Sequence, residues 1–170
     1  MNNLHQLFVH QIKDLYSAEN QLLKAFPEMI GAAQSDELRQ ALEMHREETL
    51  VHVDRLTEIA QEMKIDLAGA FCAGMEGLIK EAKSTIKEVG GMDVMDAAII
   101  ASAQRIEHYE IAGYGTVESM AKEMEHTEAA DRLGKTLAEE KKADKKLSQL
   151  AEGGWFSSGL NEVAEKAHVA

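Results

Sequence analysis

A single cysteine, Cys72, stands in a chain of 170 residues. That excludes an intrachain disulfide framework and any metal site built from four thiolates. A single proline, Pro27, leaves almost the whole chain free to run as helix. Aromatic residues are scarce at 5%, while Ala, Glu, Lys, Leu and Met abound, a composition that suits a compact helical protein. No basic patch is visible and the net charge is -12, which argues against nucleic acid as a partner and favours attraction of cations. No apolar run approaches the ~20 residues needed to span a bilayer. The start, Met1-Asn2-Asn3-Leu4-His5, lacks the charged-then-apolar profile of a signal peptide, so a cytoplasmic location and no membrane partner are expected.

What is present is helical periodicity. The length suits one domain over 1–170, with a core over about 2–152 and an extension over 153–170. A first helix is expected from about Asn2 to Ala33, kinked or ended early by Pro27. Ser35, followed by Asp36 and Glu37, caps a second that runs to about Lys64. Residues 66–91 break the pattern and carry a short helix around Met75 to Glu88. Asp93 is expected to cap a third long helix to about Glu125, and Thr127 a fourth that stops at Gly153-Gly154. Ser157 or Ser158 then starts a short C-terminal helix through Lys166. Two tight hairpins joined by a long crossover describe an all-α, antiparallel four-helix bundle of the ferritin-like kind.

Acids interrupt the seams of that bundle. Reading by alternating steps of four and three, the first helix runs Phe8, Ile12, Leu15, Glu19, Leu22, Phe26, Met29, apolar except for Glu19. A second series runs Ile100, Ala103, Glu107, Glu110, Tyr114, Val117, Ala121, and a third Leu133, Leu137, Glu140, Asp144, Leu147, Ala151. Such seams face the bundle interior, where an ionised carboxylate costs several kcal/mol unless a cation or donors compensate it. In di-iron carboxylate bundles two helices give one Glu each, and two give a Glu with a further ligand about one turn on. Here Glu19 and Glu107 read as the single ligands. Glu48 with His52, and Glu140 with Asp144, read as the paired ones, each at i, i+4 on one helix face. Oxygen-rich ligation with few imidazoles suits two iron ions, with manganese the alternative, better than structural zinc.

The segments Asp14 to Leu23, His45 to Leu56, Arg105 to Gly115 and Glu139 to Leu147 resemble the YciE/YciF-type bacterial stress family, a branch of the ferritin-like superfamily. The resemblance covers nearly the whole chain, with the four segments in order. It implies a ferritin-like bundle, a dinuclear metal site and often a dimer, and it supplies no reaction. The superfamily's usual Glu-x-x-His is replaced here by Glu48-x-x-x-His52, and the helix 4 pair ends in Asp144. His45, three residues before Glu48, therefore competes with His52 as the ligand. The Glu107-x-x-Glu110 pair resembles that of rubrerythrins, in which the second Glu can exchange as a ligand.

The remaining candidates read more plainly. His45 and Glu110 are exchange ligands or partners of ligands, and Tyr114 is a core aromatic donating its hydroxyl to a ligand carboxylate. Cys72 is expected to be simply buried, and His5, His10, His126 and His168 to lie at the surface. Leu4, Leu7, Leu23 and Ile30 exceed the first seam, so a homodimer is expected to cover that face. Two function classes remain open: a dinuclear metal protein reacting with peroxide or dioxygen in a stress setting, and a non-enzymatic metal-binding or structural stress protein.

Overall fold

The computed structural model describes residues 1–154 and 157–166. Asn3 opens α1 (Leu4–Ala32), its side chain accepting from the Gln6 amide at 2.8 Å, which satisfies one otherwise unpaired first-turn donor. Pro27 lies on the exposed side of α1 and does not end it, because the helix continues to Ala32. Ser35 caps α2 (Asp36–Glu62) by accepting from Leu38 N at 3.3 Å, with Asp36 and Glu37 at the positive end of the helix dipole. The crossover carries α3 (Ala73–Glu88), and α4 (Met92–Glu123) and α5 (Thr127–Glu152) form the second long hairpin. Gly153, at φ 74°, ends α5 in a conformation open to glycine. A two-residue antiparallel pairing of β1 (Gly153–Gly154) with β2 (Ser157–Ser158) then leads into α6 (Leu160–Lys166).

Three helix starts differ from the sequence expectation. Asp93 lies inside the first turn of α4, with Gly91 at the cap position; Thr127 is the first residue of α5, with His126 at the cap. Neither start carries a side-chain cap bond, so the turn geometry sets them: Gly90-Gly91 before α4, and Glu125 at φ 59° before α5. Ser157 and Ser158 belong to the small hairpin, which delays α6 to Leu160. His168 lies outside the described residues.

The four long helices form the expected bundle: α1 packs on α2 and α4, α5 packs on α2 and α4, and α3 lies along α1 and α4. No described helix is long and apolar enough to cross a membrane. The two hairpins are tied where Asp96 of α4 accepts from the backbone amides of Gln34 and Ser35, at 2.7 and 2.8 Å, in the α1–α2 turn. Helices α1 and α4 approach closely at Gly113, where a Cβ would stand 2.7 Å from Leu15 Cδ2. All seven residues of the first seam are buried, Glu19 included. Of the second apolar face, Leu4 is exposed, Leu7 and Leu23 are half-buried, and Ile30 packs against the core.

The core is divided. One apolar cluster gathers Leu22, Phe26, Leu38, Ile99, Ile100 and Leu150 with their neighbours. The other gathers Phe8, Ile12, Leu56, Ile59, Val117 and Leu133. Between them lies a polar layer.

Candidate metal centre

Six side chains from all four long helices make that layer: Glu19 from α1, His45 and His52 from α2, Glu107 and Glu110 from α4, and Glu140 from α5. Each is buried, and each sits where its helix would otherwise present an apolar residue to the core. Their ligand-type atoms form two groups with metal-holding spacing, within 4.8 Å of one another: Glu19, His52 and Glu140 in one, and His45, Glu107, Glu110 and Glu140 in the other. Glu140 belongs to both.

Each imidazole turns one nitrogen inward and one outward. His52 directs Nδ1 at Glu140 Oε1 (2.9 Å) and Glu19 Oε1 (3.5 Å), while Nε2 meets Glu139 Oε2 at 3.0 Å. Glu139 is in turn gripped by both terminal nitrogens of Arg55, which also donates to Thr136 Oγ1 at 3.1 Å. His45 directs Nε2 at Glu107 Oε1 (3.1 Å) and Glu140 Oε2 (3.5 Å), while Nδ1 faces Glu48 Oε2 at 3.6 Å. A carboxylate behind each ring holds the outer N–H, so that loss of the inner proton would leave a lone pair toward the interior. Tyr114 donates its hydroxyl to Glu19. Phe26 and Tyr114 pack edge-on against His45 and His52, with centroids 5.7 and 6.1 Å away.

The layer holds protons tightly. Burial works against the charged form of His52, but the Glu140 and Glu19 carboxylates outweigh it and push its pKa up to about 10. His45 is raised well above its usual value against the same burial, chiefly by Glu107. Burial raises the Glu140 carboxyl to about 8, against the opposing pull of His52 and His45. Burial and then the neighbouring carboxylates of Glu19, Glu140 and Glu107 raise Glu110. Outside the layer, Arg55 holds Glu139 below the ordinary range, and His45 does the same to the more exposed Glu48.

Two expected ligands stand outside the layer. Glu48 flanks the α2 seam, 29% exposed at its side chain, between His45 and the Lys142 ammonium 3.9 Å away. Asp144 is half-buried and faces the exposed His108, at 3.3 Å. It lies about 6 Å along the axis from Glu140, and its short side chain does not join either group. His45 and Glu110 face the interior in their place. The partners Glu139 and Arg55 were missed, although Glu139 adjoins Glu140 and Arg55 lies three residues after His52. So was a separate knot around Cys72, whose thiol lies 2.9 Å from the Tyr109 hydroxyl and 3.2 Å from Asp14 Oδ2. Burial raises that thiol, and the knot ties the start of α3 to α1 and α4. His5 and His10 are exposed, and His126 is half-buried beside His5.

A single-crossover bundle of four long helices that meet in an interior layer of carboxylates and imidazoles defines the ferritin-like class. Within it, the chain belongs to the family described as a domain of unknown function, DUF892, whose model matches residues 3–163. It is 39% identical over 168 residues to protein YciF of Escherichia coli K12, covering 98% of this chain and 96% of that protein. The crystal structure of the E. coli stress protein YciF superposes with a TM-score of 0.85 at 40% identity, covering 88% of this chain and 95% of that one. YcfI from Rhodopseudomonas palustris superposes with a TM-score of 0.86, also at 40% identity, covering 89% of this chain and 96% of that one.

Proposed function

We propose that the protein is a dinuclear metal carboxylate protein. Glu19, His52 and Glu140 hold one ion and His45, Glu107, Glu110 and Glu140 the other, with Glu140 serving both. One observation carries this reading: although the two imidazoles stand 2.9–3.5 Å from Glu19, Glu107 and Glu140, each of the six side chains leaves at least one buried oxygen or nitrogen without a partner in hydrogen-bond geometry. A buried unpaired polar atom costs about 1–3 kcal/mol, more when charged, and so many in one layer call for a cationic occupant. Four carboxylates match the charge of two divalent ions. Mostly oxygen donors with two imidazoles suit iron, with manganese the alternative.

When bound, iron would supply the electrons for reduction of a small oxidant, peroxide or dioxygen. The protein's own part is to orient. Glu139 and Arg55 fix the His52 ring, Glu48 stands behind His45, Tyr114 steadies Glu19, and the two apolar clusters keep bulk water from the layer. The description of the E. coli relative as a stress protein supports a role in a stress response. The lone unbridged thiol suits a cytoplasmic setting. Metal analysis of protein purified from cells should find two ions per chain, and anaerobically iron-loaded protein should reduce one peroxide per pair of ions, turning over further only when a chemical reductant is added. Protein without stoichiometric metal, and unable to bind it when offered, would end the proposal.

A second reading has its own support. Every long helix contributes a ligand-type residue, so bound ions would also staple the bundle, and a metal that stabilises without turnover would mark a non-enzymatic stress protein. We also propose a symmetric homodimer. Leu4 on α1 and Leu50 and Val51 on α2 remain exposed, large apolar side chains that a second copy would cover. Sedimentation of a monomer throughout the micromolar range would exclude it.

A further inference from the structure

Between α2 and α5 a cavity of about 190 Å³ leads from the surface to His45 and Glu107. Its walls include Ala41, Leu42, Met44, Ala143 and Leu147. Its rim carries Lys142, Lys145 and Lys146. We propose that this cavity binds a small apolar monocarboxylate, of benzoate size or a short alkyl chain, with its apolar body inward and its carboxylate at the three lysines. It would bring the apolar end of such a molecule beside the metal layer. That last step rests on the metal reading; occupancy of the cavity does not.

Size, polarity and charge agree on this ligand class. An apolar protein cavity of about 150 Å³ is large enough to take benzene, so 190 Å³ accommodates a single ring or a short chain. The walls are aliphatic, which favours an apolar body. Charge then sets the polarity of the ends. In a chain of net charge -12, three lysines line this cavity against one outer carboxylate, Glu48, a balance that favours an anion at the mouth. Among the described residues Lys142 has only Glu48 at 3.9 Å, and neither Lys145 nor Lys146 is ion-paired. The inner end holds Glu107 and has Glu140 behind it, so a free carboxylate is repelled there and turns outward. The inner end also reaches the His45 ring, whose nitrogens face carboxylates at 3.1 and 3.6 Å without hydrogen-bond geometry, which makes the cavity a path to the layer.

The test uses the full chain, with benzoate, neutral benzyl alcohol and cationic benzylamine as probes, titrated by calorimetry into metal-free and Mn(II)-loaded protein. Benzoate should bind at one site per chain, with a dissociation constant on the order of 1 mM or tighter, and benzylamine should not bind. The exposed double variant Lys145→Ala, Lys146→Ala should weaken benzoate roughly 5-fold and leave benzyl alcohol unchanged. Ala143→Phe should fill the cavity and remove both. In Mn(II)-loaded protein the para proton of benzoate should relax faster than the ortho protons, because the ring points inward. Absence of saturable benzoate binding, equal binding of benzylamine, indifference to the lysine variant or to Ala143→Phe, or faster ortho relaxation would each overturn the proposal. If Mn(II) fails to bind while benzoate binds and Ala143→Phe removes it, the metal function falls and the pocket stands.

Discussion

Replacing Glu140 by Gln separates a shared dinuclear layer from a mere cluster of buried acids. Glu140 is the one side chain common to both ligand groups. Gln keeps its size and one carbonyl oxygen but removes the charge. An ion present at 100 times its dissociation constant stabilises the folded chain by about 2.7 kcal/mol, so two ions contribute roughly 5 kcal/mol. In a chain of 170 residues each kcal/mol moves the melting temperature by about 2–4 °C. Saturating metal should therefore raise the melting temperature of the parent by roughly 10–20 °C. In Glu140→Gln both positions lose an anionic ligand, and that increment should shrink to a few degrees. Glu19→Gln and Glu107→Gln each touch one group only, so each should keep about half of it and bind one ion.

The comparison is made against each variant's own metal-free melting point, because Glu140 acts in two directions without metal. It attracts His52 and His45 at 2.9 and 3.5 Å, and it repels the carboxylates of Glu19 and Glu107. Scanning calorimetry with and without Mn(II), together with metal analysis of the same samples, gives increment and stoichiometry. If Glu140→Gln retains two ions and the full increment, or if Glu19→Gln loses both ions, the shared-ligand arrangement is refuted.

The metal-free protein should lose stability as pH rises. His52, raised to about 10, contributes stability that is complete below its unfolded value of about 6.5 and lost as pH climbs through 10; Glu140, raised to about 8, changes stability in the same direction between about 4.5 and 8. Denaturant titrations from pH 6 to 10 should show this fall, and the stabilisation that metal adds should grow over the same interval, because ligation requires those protons to leave. Glu139→Gln should weaken the ion at Glu19 and His52 about 10–100-fold by freeing the His52 ring, and Glu48→Gln should act on the His45 position instead; titration of the two sites distinguishes them. Asp96→Ala should cost about 1.5–3 kcal/mol in chemical denaturation and leave metal stoichiometry intact, since it frees two amides in the α1–α2 turn far from the layer.

Much of the bundle was legible because one rule governs it. The four-three step that marks Phe8 to Met29 selects buried residues throughout, and it holds along α4 from Ile100 to Ala121. The crossover followed from the broken pattern after residue 65 and its short helix. Glu19, Glu107 and Glu140 were visible as acids in positions of that step, and the fold does bury them at one level. The small C-terminal hairpin was not visible, since two-residue strands leave no periodic signal.

The second helix shows why the ligand set was harder to read. Its own four-three series is Leu38, Leu42, His45, Thr49, His52, Leu56, Ile59, and every member is buried. The pairing of Glu48 with His52 came from spacing within one helix, which brings two residues onto one side but does not say which side faces the bundle. At about 100° per residue, Glu48 lies roughly 60° from His45, enough to move a carboxylate from the seam to its edge. There it meets Lys142 and backs the His45 ring. The same reasoning applies to Glu139, one residue before Glu140: it faces Arg55 from α2, 84 positions away in sequence. Periodicity reports which residues point inward, and that was enough to find the layer. Which outer carboxylate stands behind which imidazole depends on how α2 and α5 meet, a distance between helices that no pattern along either one contains. The polar residues that break the apolar rule in all four helices are thus the readable part of the site, and the groups that orient them become readable only in the folded chain.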